Sequence, residues 1–245
     1  GIASKQAFKD LAPYISWYSD YTPTTADSGS VKGIPMANGV SCSSDTDDAS
    51  RMSAFDSLTT APPFMFGFYE PDCSCPSSSQ MSASDGTSIW NEKLAPLASN
   101  GTALGSPSMC KQYDEDWLTP FSVDSATGSS LLHADWTYTS IHVNKNSLDG
   151  VKADVGYYWT KYQKPIWVSE FACVDDKDGF TPCTDQTEID QFISDAVDFF
   201  QSNGSVVAYG PSNGEGLGTV WPLIDSSTGQ LTATGTTYLN KIKSL

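Results

Sequence analysis

The sequence predicts an α/β fold, a single compact (β/α)8 barrel of the TIM type that covers residues 1–245. Short apolar runs, typical of buried parallel strands, alternate with segments of helical period from one end of the chain to the other. The chain of 245 residues has about the typical length of one eight-fold barrel. It contains neither an internal repeat nor a long linker. We therefore expect one domain.

The elements follow from these patterns in chain order. The segment 188–201 has the clearest helical pattern, a broad apolar stripe preceded by Asp185 and Thr187 as possible N-caps. Strands are predicted at residues 1–4, 14–19, 32–36, 64–69, 103–106, 137–142, 165–171 and 206–209, and further helices at 46–58, 88–98 and 151–162. Eight parallel strands close a barrel, and the carboxyl ends of the strands form its functional face.

Two glutamates stand at the carboxyl ends of predicted strands. Glu70 follows the apolar run 63–68, and Glu170 follows the run 165–168. Two carboxylates that flank one scissile bond about 5–5.5 Å apart are the acid/base and nucleophile of retaining glycosidases. The alternatives are an exposed glutamate in a Glu-Pro-Asp turn and a structural glutamate at a strand end. The pair makes glycoside chemistry the leading hypothesis.

The charge composition limits which kinds of molecule the protein is expected to bind. The chain has 13 Lys and Arg against 29 Asp and Glu, which gives a net charge of −16. Phosphate binding needs basic patches, so nucleic acids and anionic membranes are unfavourable partners, whereas a neutral polysaccharide is not repelled. The acidity is also compatible with a role in solubility alone. No apolar stretch is long enough to cross a bilayer, and the chain starts without a signal peptide, as expected of a mature or trimmed protein.

The cysteines and sequons indicate export. Six cysteines without CxxC pairs or a histidine cluster favour disulfides over a metal site, and disulfides belong to oxidising compartments. Cys173 and Cys183 bracket one loop after Glu170 and are expected to pair, while the pairing of the others stays open. Asn100 and Asn203 begin glycosylation sequons. We expect a secreted glycoprotein of the extracellular space or cell wall. The cysteines with open pairing are Cys42, Cys73, Cys75 and Cys110.

With the strands placed, the motifs resemble glycoside hydrolase family 128, the β-1,3-glucanase barrels common in fungi. Trp-Tyr-Ser-Asp-Tyr-Thr-Pro at 17–23 is similar to the family's Trp-Tyr-Tyr-Asn-Trp-Ser-Pro. Gly-Phe-Tyr-Glu-Pro-Asp at 67–72 is similar to its acid/base motif Gly-Phe-Asn-Glu-Pro-Asp, and Trp-Val-Ser-Glu-Phe at 167–171 to its nucleophile motif. The resemblance spans essentially the whole chain. It implies Glu70 as acid/base and Glu170 as nucleophile, with no metal and no cofactor.

The chain departs from the family around the expected cleavage site. Tyr69 stands where the family has an Asn that holds the 2-hydroxyl of the sugar being cleaved. Losing about 3 kcal/mol there would slow the reaction roughly a hundredfold. The family's His-Trp-Tyr is His142-Val-Asn144 here, Asp20 and Tyr21 replace Asn and Trp, and Pro211 replaces an aromatic residue.

Two functions follow as hypotheses. The first is a retaining hydrolase of β-1,3-glucan, and the alternative is a protein on the same barrel that binds β-1,3-gluco-oligosaccharides with weak or no hydrolysis. A monomer is expected in either case. Aromatic rings can stack on pyranose faces, whereas Trp90 and Trp159 are expected in the core. The predicted substrate-binding residues are Trp17, Tyr18, Asp20, Tyr21, Tyr69, His142, Asn144 and Trp221.

Overall fold

The computed structural model describes residues 4–39, 46–75, 78–111, 113, 116–122, 134–214 and 216–245. Most of the predicted first strand at 1–4, and Cys42, lie outside these residues. The chain groups into two compact units. Unit 1 comprises Gly1–Tyr18, Ser28–Lys32 and Val143–Leu245, and unit 2 comprises Ser19–Asp27 and Gly33–His142.

Helices and short strands alternate along the chain. The strands are β1 (Trp17–Tyr18), β2 (Lys32–Gly33), β3 (Met36–Asn38), β4 (Phe64–Phe68), β5 (Ala103–Leu104), β6 (Thr139–Lys145), β7 (Ile166–Asp175), β8 (Thr181–Pro182) and β9 (Val206–Pro211). The helices are α1 (Gln6–Leu11), α2 (Thr46–Asp56), α3 (Ala83–Ile89), α4 (Ala95–Ser99), α5 (Leu118–Ser122), α6 (Leu148–Tyr162), α7 (Gln186–Ser202) and α8 (Ala233–Lys243), with a π-helical turn, Trp90–Leu94, between α3 and α4.

Unit 2 is built on the parallel sheet β3-β4-β5. Strand β4 lies in the middle of this sheet, and Met65, Phe66 and Phe68 are buried, as expected of a parallel strand covered on both faces. The ring of Phe68 packs edge-on against Trp90 and Phe121, with centroids 5.9 and 6.3 Å away. This aromatic cluster fixes the strand that ends just before Glu70.

Unit 1 is built on β7, which pairs with β9 in parallel and with β8 antiparallel. Helix α7 covers this sheet. It begins at the N-cap Asp185, whose carboxylate accepts hydrogen bonds from the backbone N–H groups of Thr187 and Glu188. Most of its apolar stripe is buried, including Phe192, which packs with Phe171 of β7. None of the helices in the described part of the chain combines the length and apolar character needed to span a bilayer.

The structure shows the predicted alternation of strands and helices, but some element boundaries differ from the predicted ones. The predicted strand 32–36 is two strands, because Pro35 cannot donate a ladder hydrogen bond. Strand β7 runs on to Asp175 because its buried apolar run continues to Val174. The described strands form open two-, three- and four-stranded sheets, so the closed eight-stranded barrel stays a prediction, as does the single domain.

Two tryptophans were expected in the core, and one prediction is wrong. Trp90 is fully buried, but Trp159 is exposed. Helix α6 buries the stripe formed by Val151, Val155 and Tyr158. Asp154 is also buried, so the stripe extends to the side away from Trp159, which lies about 80° round the helix from Val151, just beyond the stripe's edge, and is exposed there.

Candidate functional site

Glu70 is the second residue after β4, in a backbone conformation that few side chains adopt. Its φ is 46°, in the left-handed region, where a residue other than glycine costs on the order of 1–3 kcal/mol. The following Pro71 disfavours the right-handed helical conformation at this position. The Glu70 N–H donates to the Ser108 carbonyl (2.9 Å), and the preceding Tyr69 N–H donates to the Asn38 carbonyl (2.7 Å). The neighbouring chain segments thus hold Glu70 in one orientation.

The Glu70 carboxylate is held at both oxygens. Nδ1 of His142, on β6, lies 2.8 Å from Oε1, and the Ser78 hydroxyl donates to Oε2 over 2.7 Å. The His142 side chain is 1% exposed and that of Glu70 is 14% exposed. All three residues belong to unit 2. The result is a nearly dry, hydrogen-bonded cluster with only a small part of the carboxylate facing solvent.

These contacts decide the protonation state of Glu70. Burial by itself raises the pKa of the Glu70 carboxyl, but the hydrogen bond and charge of His142 and the bond from Ser78 outweigh it, so the pKa lies below its usual 4.5. Glu70 is therefore a carboxylate at neutral pH, and Nδ1–H of His142 is the donor to Oε1. A group in this state accepts hydrogen bonds from a ligand's hydroxyls.

Aromatic rings line the neighbourhood of this cluster. Tyr69 is partly exposed, and its ring centroid lies 5.3 Å from that of His142 and 5.4 Å from that of Tyr21. Tyr21 itself has a φ of 63°. The two tyrosines meet edge to face and both are partly exposed, so aromatic side chains with some solvent access lie next to the His142 end of the cluster.

Glu170 belongs to unit 1, whereas Glu70 belongs to unit 2. Glu170 lies on β7, is 8% exposed, and is followed by the fully buried Phe171. The Phe171 carbonyl accepts a hydrogen bond from the Ser212 N–H at the end of β9, over 2.9 Å. Glu170 was expected at the carboxyl end of its strand, but it is the fifth of the ten residues of β7, because the strand continues to Asp175. It does lie next to the last residue pair of β7 with β9, Phe171 with Pro211. Its convergence with Glu70 on one pocket stays a prediction.

Trp17 and Tyr18 occupy β1 in unit 1 and are partly exposed. The Trp17 ring packs edge-on against Trp167, with centroids 5.1 Å apart, and Tyr18 packs against Phe8. Gly210 is required here, because a Cβ at this position would lie 2.9 Å from the Trp17 ring. The Trp17 and Tyr18 rings are thus each packed against another aromatic ring. Their role in sugar binding stays a prediction.

Asp20 and Asn144 have different environments. Asp20 is exposed, and its Oδ1 accepts hydrogen bonds from the N–H and hydroxyl of Thr22 and from the hydroxyl of Thr25. These contacts order the 20–25 loop. Asn144 is buried on β6. Contact of either residue with a sugar stays a prediction.

The prediction that Trp221 binds sugar is wrong. It was expected as a sugar-stacking platform at the mouth of the fold, but it is completely buried. Its indole N–H donates to the Ser212 carbonyl over 2.9 Å, and its ring packs against Phe171 and Phe192. The buried apolar faces of β7 and α7 take up this ring, so it offers no face to a ligand.

Two disulfides are described. They join Cys73 to Cys110 and Cys173 to Cys183, the second being the pair expected from the sequence. In the described ranges, one group has the spacing of metal ligands, Cys173, Cys183 and Glu188, and its sulfurs are already bonded to each other. That group therefore makes a poor metal site.

The two sequon asparagines differ in their surroundings. Asn100 is exposed just after α4. Asn203 is partly exposed, and its side-chain oxygen accepts hydrogen bonds from the N–H and the hydroxyl of Ser205. Glycosylation at either position stays a prediction.

Two residues that hold the Glu70 cluster in place were missed by sequence reasoning. Ser78 belongs to a run of serines in a loop and carries no motif. Asn38 lies at the end of β3 with a φ of 62° and supplies the carbonyl that positions Tyr69. A positive φ cannot be read from the sequence, although asparagine is the residue other than glycine that tolerates it best.

The fold and the site define a class, an α/β protein with paired aromatic rings and a buried carboxylate at the carboxyl end of a parallel strand. The chain belongs to the glycosyl hydrolase catalytic core family, whose family model matches residues 1–238. The resemblance to glycoside hydrolase family 128 predicted from the sequence is confirmed by solved structures.

Two of these structures are oligosaccharide-binding proteins of subgroup VII of that family. The protein from Trichoderma gamsii is 42% identical with a TM-score of 0.89, over 100% of this chain and 92% of that one. The protein from Cryptococcus neoformans is 45% identical with a TM-score of 0.87, and the match covers 96% of this chain and 91% of that one. A mutant endo-β-1,3-glucanase from Amycolatopsis mediterranei, in complex with laminaripentaose, shares the fold alone. It is 18% identical with a TM-score of 0.72, and the match covers 97% of this chain and 94% of that one.

A curated relative is longer than this chain. Alkali-sensitive linkage protein 1 of Schizosaccharomyces pombe is 30% identical over 204 residues. The match covers 79% of this chain and 36% of that protein, so the chain spans little more than a third of the relative's length.

Proposed function

We propose that this protein binds β-1,3-linked gluco-oligosaccharides with weak or no hydrolysis. The observation that carries the proposal is the state of Glu70. A retaining glycosidase needs a general acid that holds its proton until the leaving oxygen takes it, which requires a raised pKa. His142 and Ser78 instead lower the pKa of Glu70 and hold it as a carboxylate.

The residue before Glu70 supports the same proposal. An asparagine at this position would hydrogen-bond the 2-hydroxyl in the transition state, whereas Tyr69 presents a ring packed against Tyr21 and His142. A ring favours binding, because it stacks on a sugar in the ground state as well as in the transition state. Binding energy that is equal in the two states does not raise kcat.

The relatives support binding and the glucan class. The two subgroup VII structures that are more than 40% identical are named as oligosaccharide-binding proteins. The more distant endo-β-1,3-glucanase is named in complex with laminaripentaose. We extend the binding function and the β-1,3 linkage to this chain, together with secretion, a monomeric state and a closed single-domain barrel.

The test follows binding and cleavage side by side. Laminaritriose to laminarihexaose are titrated calorimetrically into the protein while reducing ends are measured under the same conditions. We expect heat of binding and little or no product over hours. Rapid turnover that Glu170→Gln abolishes would refute the proposal in favour of hydrolysis, and the absence of heat with every sugar would refute both functions.

Retaining hydrolysis is the second candidate, because the chain keeps both glutamates in motifs similar to those of the family's hydrolases. In that function Glu70 protonates the leaving oxygen, Glu170 forms the glycosyl-enzyme, and Glu70 then activates water. Tyr69→Asn separates the two candidates. If the glutamates are otherwise competent, the variant gains cleavage of up to about a hundredfold, from about 3 kcal/mol of transition-state stabilisation. A binding protein shows no gain, since its acid stays ionised.

A further inference from the structure

A cavity of about 450 Å³ lies beside the Glu70 cluster. It is open to solvent and bounded by the loops that follow β4 and β5, and all of its lining residues belong to unit 2. Its volume is within the range of about 300–1,000 Å³ typical of ligand pockets. The lining starts at the residue after Glu70 and includes Pro71, Asp72, Gln80, Lys111, Tyr113 and Trp117.

The walls of this cavity are cross-linked. The Cys73–Cys110 disulfide joins the two loops. The two carboxylate oxygens of Asp72 accept hydrogen bonds from the backbone N–H groups of Cys110 and Lys111, each over 2.9 Å. The buried Trp117 donates its indole N–H to the Met81 carbonyl over 2.6 Å. These contacts hold the described lining residues in place, which reduces the entropy that a ligand must overcome on binding them.

The chemistry of the lining fits a neutral polyhydroxylated ligand. Lys111 is the one cation in the described lining, against the carboxylates of Asp72 and Asp116, so an anion is disfavoured. Asp72 already uses both oxygens on backbone N–H groups, which makes it a weak partner for a cation. Tyr113 is 48% exposed and can lie against the face of a sugar. Exposed polar side chains around it, including Gln80, can bond hydroxyls.

We propose that this cavity is a second sugar-binding subsite, which holds a further glucose unit of a chain that also contacts the Glu70 cluster. Pro71 lines the cavity and directly follows Glu70, with Cα atoms about 3.8 Å apart, so the two places lie within the length of one oligosaccharide. The proposal requires that a sugar chain leaving the Glu70 cluster enters this cavity. The inference rests on the proposed function. It adds that longer oligosaccharides bind more tightly than short ones, because Tyr113 contacts the further glucose unit.

The test compares Tyr113→Ala with Tyr14→Ala, both by calorimetric titration with laminaritriose and laminarihexaose. Tyr14 is a matched control, because it is also 48% exposed but belongs to unit 1, whereas every residue that lines the cavity belongs to unit 2. We expect Tyr113→Ala to weaken laminarihexaose binding about tenfold, the upper part of the range for one aromatic contact, and to leave laminaritriose unchanged. Tyr14→Ala leaves both affinities unchanged.

A second variant blocks the cavity without removing the tyrosine. Ser74 is exposed at the lining, so Ser74→Trp should fill the space and reduce laminarihexaose affinity to a similar extent. Unchanged hexaose affinity in both variants would overturn the subsite while the wild-type binding heat keeps the proposed function intact. An equal loss for triose and hexaose would also overturn it, because Tyr113 would then act at the Glu70 cluster itself. If the wild-type protein gave no heat of binding with either sugar, the proposed function itself would be refuted.

Discussion

At the scale of single residues, the state of Glu70 depends on a side chain 72 positions away in the sequence. The Glu-Pro-Asp motif identifies the carboxylate but not its proton. Burial and His142 act on its pKa in opposite directions, and in this structure the histidine together with Ser78 prevails. A motif common to hydrolases can therefore sit in a site that is electrostatically suited to binding.

Replacing His142 with Gln should raise the pKa of Glu70. The substitution removes the charge while burial, which favours the neutral acid, remains. In the wild type, the low pKa contributes stability that is fully present above the unfolded pKa near 4.5 and is lost as pH falls through the lower folded pKa. In His142→Gln this contribution is reduced, so the variant should lose stability relative to wild type above about pH 5. Carbon NMR of the Glu70 carboxyl against pH measures the shift directly.

The matched control for this prediction is Ser78→Ala. It removes one hydrogen bond to Glu70 and leaves the histidine in place, so the pKa should rise less than in His142→Gln. A larger rise in Ser78→Ala would show that the hydroxyl, rather than the imidazole, keeps the carboxylate ionised.

At the scale of elements, the two described disulfides join neighbouring loops and strands. One links the loops after β4 and β5, and the other links β7 to the residue after β8. The β7–β8 link also has a backbone hydrogen bond from the Cys183 N–H to the Cys173 carbonyl (3.0 Å). The loops after β4 and β5 are likewise joined by hydrogen bonds from the Cys110 and Lys111 N–H groups to Asp72, so each disulfide reinforces a link that hydrogen bonds also make.

Loop length predicts the relative contributions of the two disulfides. In the chain-entropy model, closing a loop with a separation of 37 residues stabilises by about 4 kcal/mol, and one of 10 residues by about 3 kcal/mol. We therefore expect the double variant Cys73→Ser with Cys110→Ser to lose more free energy of unfolding than Cys173→Ser with Cys183→Ser. Urea titration of both variants measures the difference. The reverse order would show that native contacts rather than loop closure set the contributions.

The elements also show how far the sequence alone could reach. Strands β4, β7 and β9 and helices α6 and α7 were predictable, because each combines an apolar run or stripe with clear end signals. The pattern carried no information on how Trp221 packs, since a tryptophan after a glycine-rich loop looks the same whether it faces solvent or α7. Ser78 could not be predicted either, because its role is set by the distance to Glu70 in three dimensions.

At the scale of the whole molecule, charge favours neutral partners. The net charge of −16 leaves an excess of acidic side chains, and a partly exposed ion pair such as Lys241 with Asp198 adds little stability. A neutral glucan gains nothing from this field and loses nothing to it. Its affinity must come from stacking and hydrogen bonds, which is consistent with the rings near Glu70 and with the lining of the cavity.

One buried acid connects this charge balance to folding. Asp154, on α6, is 1% exposed, and Lys145 Nζ lies 3.6 Å from its Oδ1 while the same Lys145 also forms an ion pair with Asp176. Burial raises the pKa of Asp154 to about 7, against the lowering effect of Lys145 and with a further increase from Asp176. The unfolded chain releases this proton near 3.8 and the folded chain near 7, so this group destabilises the fold increasingly as pH rises between those values.

Asp154→Asn should therefore stabilise the protein at high pH more than at low pH. The amide has the same shape and never ionises, so the gain over wild type grows from pH 4 to pH 7 and then levels off, reaching about 4 kcal/mol. Thermal or urea unfolding at pH 5 and pH 8 measures it. Asp149→Asn is the control, because it removes the same charge from an exposed position of the same helix and should give no such pH-dependent gain. An equal gain at both pH values would mean that Asp154 is ionised in the folded protein, held so by Lys145, and that its burial adds nothing to the pH dependence of folding.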